Sequence, residues 1–317
     1  MSFCAYMKNM DELYIIAGFI LLILGAEGFV QGAVALASKL KVPPLLVGFT
    51  IVAIGTSLPE LAVVLEAMKT DGGADIAVGG IIGSNISNVM LVLGSAAVLG
   101  ASEYPGRGIR RDAVAVLVAS MILVGATLFG EITQLMGILM ILAIIGFYRY
   151  SYTHAKNHDV SSENSEPKLS NHLSLLALLI GGLMVWFGAE LLMSGVTGII
   201  AKYGFSESVV GLTIVALGTS LPEFAVTVIS VLRGQGGVAL GNVLGSNVMN
   251  ILGILGIASI IGGGISISPD FAERDIWILL LSSGFVCGML LDNREIGKGV
   301  GLSMVLSYVA YLYFLVN

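Results

Sequence analysis

One fourteen-residue segment of this chain occurs twice: Val47-Gly-Phe-Thr-Ile-Val-Ala-Ile-Gly-Thr-Ser-Leu-Pro-Glu60 returns as Val210-Gly-Leu-Thr-Ile-Val-Ala-Leu-Gly-Thr-Ser-Leu-Pro-Glu223, 163 positions later. A second pair, Gly83-Ser-Asn-Ile-Ser-Asn88 and Gly245-Ser-Asn-Val-Met-Asn250, recurs at an offset of 162, so one residue is missing between the motifs of the second copy. Upstream, Gly25-Ala-Glu27 matches Gly188-Ala-Glu190. Such a duplication restricts the fold to two homologous units. Inverted repeats with interrupted helices are the signature of membrane transporters.

Composition supplies the solvent. The 317 residues are 56% hydrophobic and 11% charged, with a mean hydropathy of +0.95, whereas a soluble domain carries about a quarter charged residues. The chain is therefore read as an integral membrane protein whose main partner is the lipid bilayer. Glycine, at 42 residues, is roughly twice its usual share and lets helices approach closely in lipid. No basic stripe suggests nucleic acid. Cys4 and Cys287 have no metal-ligand spacing and are read as unpaired packing residues.

Apolar stretches able to cross ~30 Å of hydrocarbon run from about Leu13 to Ala37, Pro43 to Ala67, Ile76 to Leu99, Ala113 to Phe129 and Ile132 to Tyr148. Five more run from about His172 to Ile200, Ser208 to Leu232, Val238 to Ile261, Asp275 to Leu291 and Ile296 to Val316. The expected fold is an all-α membrane protein of ten transmembrane helices, arranged as two inverted five-helix repeats with interrupted helices in the core. Residues 1–150 form the first repeat, 151–171 a polar linker and 172–317 the second repeat. Ten spans put both termini on one face. Of fifteen Lys and Arg residues, eleven then fall on the linker side and four, Lys8, Lys69, Lys202 and Arg274, on the other. The positive-inside bias places the linker in the cytoplasm and the termini outside a plasma membrane.

The duplicated motif carries chemistry. Pro59 has no N–H, so the Gly55 carbonyl loses its helical partner, as does Gly218 opposite Pro222. A freed carbonyl within a membrane is costly unless satisfied, and a bound cation satisfies it. Glu60 lies four residues after Thr56, and Ser84 four before Asn88, as Ser246 before Asn250; each pair shares a helical face. These are oxygen ligands only, which favours a hard cation such as Ca²⁺ over Zn or Cu. Two carboxylates neutralise one Ca²⁺, and Na⁺ can use the same oxygens in its place.

These paired motifs resemble those of the sodium/calcium exchanger family, in the calcium/cation antiporter superfamily, and the resemblance covers essentially the whole chain. It implies ligand positions at Ala53, Thr56, Ser57, Glu60, Ser84 and Asn88, and at Ala216, Thr219, Ser220, Glu223, Ser246 and Asn250. By the same resemblance Glu60, Glu223, Thr56 and Thr219 hold Ca²⁺, while the Ala carbonyls, Ser hydroxyls and Asn amides mainly complete Na⁺ sites. Proton-coupled relatives carry extra acids on the third and eighth spans, where Asn88 and Asn250 do not titrate, so Na⁺ is the expected counter-ion. Asparagine at 250 argues against potassium dependence, and the large calcium-sensing loop of animal exchangers is absent. No cofactor is expected beyond the transported ions, and a single chain is expected to suffice.

Other readings stay open at this point. Ca²⁺/H⁺ antiport is the alternative, a cation channel a more distant one, and an intramembrane enzyme lacks a nucleophile and base in the motifs. Glu27 and Glu190 fit an ion pathway and a structural contact equally. Gly18, Gly25, Gly28, Gly32, Gly181, Gly182 and Gly188 are expected to smooth the first and sixth spans for sliding past a fixed core.

Overall fold

The computed structural model describes residues 2–70, 72–100, 108–158, 171–203 and 218–316. Its helices are α1 (Ser2–Leu40), α2 (Pro44–Val47), α3 (Ala53–Ala67), α4 (Gly73–Ser87), α5 (Gly94–Leu99), α6 (Ile109–Phe129) and α7 (Gln134–His158). They continue with α8 (Asn171–Tyr203), α9 (Leu221–Leu232), α10 (Gly236–Val248), α11 (Gly256–Gly262), α12 (Asp270–Glu273), α13 (Asp275–Leu291) and α14 (Lys298–Val316). Widened π-type turns join α2 to α3 over Gly48–Val52, α4 to α5 over Asn88–Leu93 and α10 to α11 over Met249–Leu255.

Among the described residues, eight helices are long and apolar enough to cross a membrane, while α9 and α13 are apolar but shorter, at 12 and 17 residues. Residues 204–217, which include Ala216 and most of the repeated segment's second copy, lie outside the described residues. The helix expected to end near Tyr148 continues to His158.

Local chemistry explains the boundaries. α2 opens with Pro44 in its first turn, where a missing N–H costs nothing. α6 stops at Gly130, whose φ of +89° suits glycine and whose N–H returns to Ala126 O at 2.9 Å.

The structure corrects three expectations. First, Pro59 does not interrupt its helix: α3 runs through it, and the irregular turn lies upstream at Gly48–Val52. A π-type turn bends a helix by itself, so the chain need not break at the proline. In the second copy the turn falls at Ser220, and Pro222 sits harmlessly in the first turn of α9. Identical motifs thus adopt different local structures. Second, one short strand pair stands where the fifth span was expected to begin. β1 (Glu131–Thr133) pairs antiparallel with β2 (Gly264–Ser266), and Ile132, expected to open a span, is a fully buried strand residue opposite Ile265. These three-residue links leave glycine-capped helices and satisfy their backbone groups on each other. Third, the glycines of α1 and α8 do not face a core along which to slide; they face one another. A Cβ on Gly18 would lie 2.7 Å from Gly188 O, and one on Gly25 would lie 2.9 Å from Gly181 O. Gly32 meets Ser174 O at 2.8 Å and Gly195 meets Asp11 O at 2.6 Å. Residue numbers rise along α1 as they fall along α8, so the helices pack antiparallel at backbone contact. Adding 163 to the α1 member of one pair and subtracting it from the α8 member gives another pair, so the contact exchanges the two copies.

One apolar cluster packs Ile81, Ile82 and Ile86 of α4 with Val243, Leu244 and Val248 of α10. A second ties Leu22, Ala26 and Phe29 of α1 and Val185 of α8 to Val226 of α9. Phe19, Leu24, Leu179 and Phe187 are exposed on the outer faces of α1 and α8, as lipid contact requires. The α1–α8 contact should not tolerate added volume. Gly181→Ala puts a Cβ 2.5 Å from Phe29 N and should cost about 1–3 kcal/mol, whereas Gly28→Ala meets nothing closer than 3.7 Å. Thermal unfolding in detergent should separate the two variants, and equal melting temperatures would contradict this packing.

Candidate ion-binding site

The site forms where four helices carrying the duplicated motifs meet. Glycines set the approach: a Cβ on Gly245 would meet the Phe49 carbonyl oxygen and lie 2.7 Å from Phe49 Cα, and one on Gly48 2.6 Å from Val238 O. With α10 held at backbone contact against the π-type turn, Asn242 and Ser246 reach Thr56 of α3. Thr56 Oγ1 donates to Asn242 Oδ1 at 3.0 Å and lies 3.4 Å from Ser246 Oγ.

Glu60 and Glu223 are both buried, 2% and 0% exposed, and no basic side chain pairs with either among the described residues. Their partners are neutral oxygens and amides drawn from both copies. Ser84 Oγ donates to Glu60 Oε1. Ser57 Oγ, from α3, donates to Glu223 Oε1 at 3.3 Å across the repeat boundary. Asn250 donates to Glu60 in either orientation of its amide, at 3.4 Å to Oε1 or at 3.0 Å to Oε2 once its ends are exchanged. Ser84 Oγ and Ser220 Oγ lie 3.3 Å apart and close the ring between copies.

Of the expected ligand positions, Thr56, Ser57, Glu60, Ser84, Ser220, Glu223, Ser246 and Asn250 thus join one buried network, and the Ala53 carbonyl lies 3.3 Å from Thr56 Oγ1 as a second, more distant acceptor for its proton. Thr219 is half-buried and lines a cleft beside Glu60 with Val64, Ile76 and Gly80. Ala216 lies outside the described residues. Asn88 is buried, but neither end of its amide has a partner, and Glu223 Oε2 is likewise unmet. Those orphans mirror the Asn250–Glu60 contact of the other copy. Buried polar atoms without partners cost about 1–3 kcal/mol each, and a coordinated cation would satisfy carboxylate and amide oxygens together. No group of three or more His, Cys, Asp or Glu occurs among the described residues, so the donor set remains that of a hard cation.

Four residues escaped the sequence reading. Asn85 and Asn247 exchange side-chain bonds to each other's backbone, Asn85 Nδ2 to Asn247 O at 3.3 Å and Asn247 Nδ2 to Asn85 O at 3.5 Å. Their repetition within Gly-Ser-Asn was the available signal. Asn242 and Thr227 bond each other at 3.0 Å, and no repetition marks them because the first copy has Gly80 and Val64 in their places. Glu27 does not enter the site: it pairs with Arg233 at 2.7 Å, joining α1 to the end of α9.

A helical membrane chain with paired buried carboxylates in an oxygen-lined interior defines a membrane transporter of the cation-exchanger class. Residues 12–153 and 173–317 match the family described as sodium/calcium exchanger protein, and the chain belongs to that family. It is 32% identical to the putative antiporter CaxA of Alkalimonas amylolytica, over 96% of this chain and 98% of that one. It is 28% identical to the sodium/calcium exchanger MaX1 of Methanosarcina acetivorans, over 98% and 99%. The solved structure of the sodium-calcium exchanger NCX_Mj soaked with Na⁺ and Sr²⁺ superposes with a TM-score of 0.83 at 29% identity, covering 96% of this chain and 98% of that chain.

The Asn85–Asn247 exchange should hold the two motif helices in register. Asn85→Ala would strip the Asn247 carbonyl of its donor and should lower stability by about 1–3 kcal/mol. Thermal unfolding in detergent checks this, and an unchanged transition would contradict it.

Proposed function

We propose that this protein exchanges Na⁺ for Ca²⁺ across the membrane by alternating access, with the ions held between Glu60 and Glu223. The observation that carries the reading is the pair of buried carboxylates with no basic partner among the described residues, each bonded by a side chain from the opposite copy. Two such charges call for a cation between them, because a lone buried carboxylate is expensive. Thr56, Thr219, Glu60 and Glu223 hold Ca²⁺ in this proposal. Na⁺ takes those oxygens together with Ala53, Ser57, Ser84, Asn88, Ala216, Ser220, Ser246 and Asn250. Since the two ions share ligands, each excludes the other, and opposite movements become coupled.

The counter-ion follows from the same residues. Asn88 and Asn250 offer no proton carrier, which supports Na⁺ over H⁺, and MaX1 and NCX_Mj are described as sodium/calcium exchangers. The proposed architecture is ten spans in two inverted repeats, with the termini outside and the linker in the cytoplasm of the plasma membrane. The antiparallel, interchangeable contact of α1 with α8 supports the inversion. Because those two helices are locked by glycines to each other, they move as one unit against the four motif helices. A single chain carries the complete donor set, so the proposed working unit is a monomer.

Proteoliposomes should take up Ca²⁺ when Na⁺ is loaded inside and diluted outside. Uptake driven only by a pH gradient would move the assignment to Ca²⁺/H⁺ exchange. Glu60→Gln and Glu223→Gln should each remove about 3–5 kcal/mol of Ca²⁺ binding, leaving no measurable uptake; transport above one-tenth of wild type in either variant would contradict the shared site.

A further inference from the structure

Resting on the exchange reading above, the geometry points to Asn242 as a positioning residue that frees the Thr56 lone pairs and the Ala53 carbonyl for Na⁺. Asn242 is fully buried on α10. Its NH₂ donates to Glu223 O at 3.3 Å and to Thr227 Oγ1 at 3.0 Å. A backbone carbonyl only accepts, which fixes this edge of the amide as the donor edge and turns Oδ1 toward Thr56. Oδ1 in turn only accepts, so it draws the Thr56 hydroxyl proton at 3.0 Å.

A threonine in a helix otherwise gives its one proton to a carbonyl three or four residues earlier. Here the competitor is Ala53 O, at 3.3 Å. With the proton directed to the nearer Asn242 acceptor, the Ala53 carbonyl is left without it and Thr56 Oγ1 stands as an acceptor, 3.4 Å from Ser246 Oγ. Without Asn242 the proton returns to Ala53 O, and two oxygen donors are spent on each other.

The first copy has no such device. Gly80 stands where the second copy has Asn242, and Val64 where it has Thr227. Both members of the polar contact are replaced together, and a cleft lined by Glu60, Val64, Gly80 and Thr219 occupies the corresponding place. The two threonines are therefore unequal ligands, and the Asn242 side sets Na⁺ affinity.

Asn242→Gly and Thr227→Val carry the first copy's own residues into the second. Thr227→Val is nearly isosteric and loosens Asn242 without touching an ion ligand. In Na⁺-driven Ca²⁺ uptake, Asn242→Gly should raise the Na⁺ half-saturation about tenfold, the order of one hydrogen bond. The Ca²⁺ half-saturation should rise by a smaller factor, because of the two freed donors Ca²⁺ shares only Thr56 and it keeps both carboxylates. Thr227→Val should shift Na⁺ dependence in the same direction by a smaller factor, and it alone carries the test if Asn242→Gly does not fold. Adding Asn242→Gly to Thr56→Val should change Na⁺ dependence no further, because the two act as one unit. Unchanged Na⁺ half-saturation in Thr227→Val, parallel loss for both ions, or additive losses in the double variant would each overturn the assignment. Wild-type liposomes without Na⁺-driven uptake would instead remove the exchange reading, and this inference with it.

Discussion

Two buried carboxylates with no basic partner among the described residues constrain everything else in this fold. Each draws hydrogen bonds from the opposite copy: Ser57 serves Glu223, and Asn250 serves Glu60. Neither half is therefore complete without the other, and bringing the halves together is the same event as assembling the site. The flanking glycines make that possible. At Gly48 and Gly245 backbone meets backbone, and any side chain there would push the α10 donors out of reach of Thr56.

The duplication makes departures from symmetry informative. Asn250 is richly bonded while Asn88 is not, and Pro59 lies inside a helix while Pro222 opens one. Asn242 with Thr227 faces Gly80 with Val64. An inverted-repeat transporter must present unlike halves in any one state, since a symmetric molecule would open to both faces or to neither. In the proposed inverted-repeat architecture, the differences in local structure would meet that requirement. The Asn242 and Thr227 substitutions are different in kind, because they are written in the sequence and persist in every state.

Much of the site was legible because its residues repeat. Thr56, Glu60, Ser84, Glu223, Ser246 and Asn250 were found by their recurrence and by one-turn spacing, which places side chains on a common face whatever the tertiary contacts. Asn242 and Thr227 were invisible for the complementary reason: their partners in the other copy are Gly80 and Val64. The membrane class and most helix positions followed from apolar length. The π-type turns did not, because nothing in Gly48–Val52 distinguishes a widened turn from a regular one. The glycine stripes are visible in the sequence, but spacing gives a helical face and not its neighbour, so the α1–α8 contact is not. The pairing of β1 with β2 joins residues more than a hundred positions apart, which no local pattern reveals.

The central claim is that Glu60 and Glu223 together hold one dehydrated cation. Calorimetric titration of Ca²⁺ into purified protein tests it most directly, comparing wild type with a variant carrying both Glu60→Gln and Glu223→Gln. The account predicts saturable binding in the first and no detectable heat of binding in the second; equal affinity in the two would contradict it.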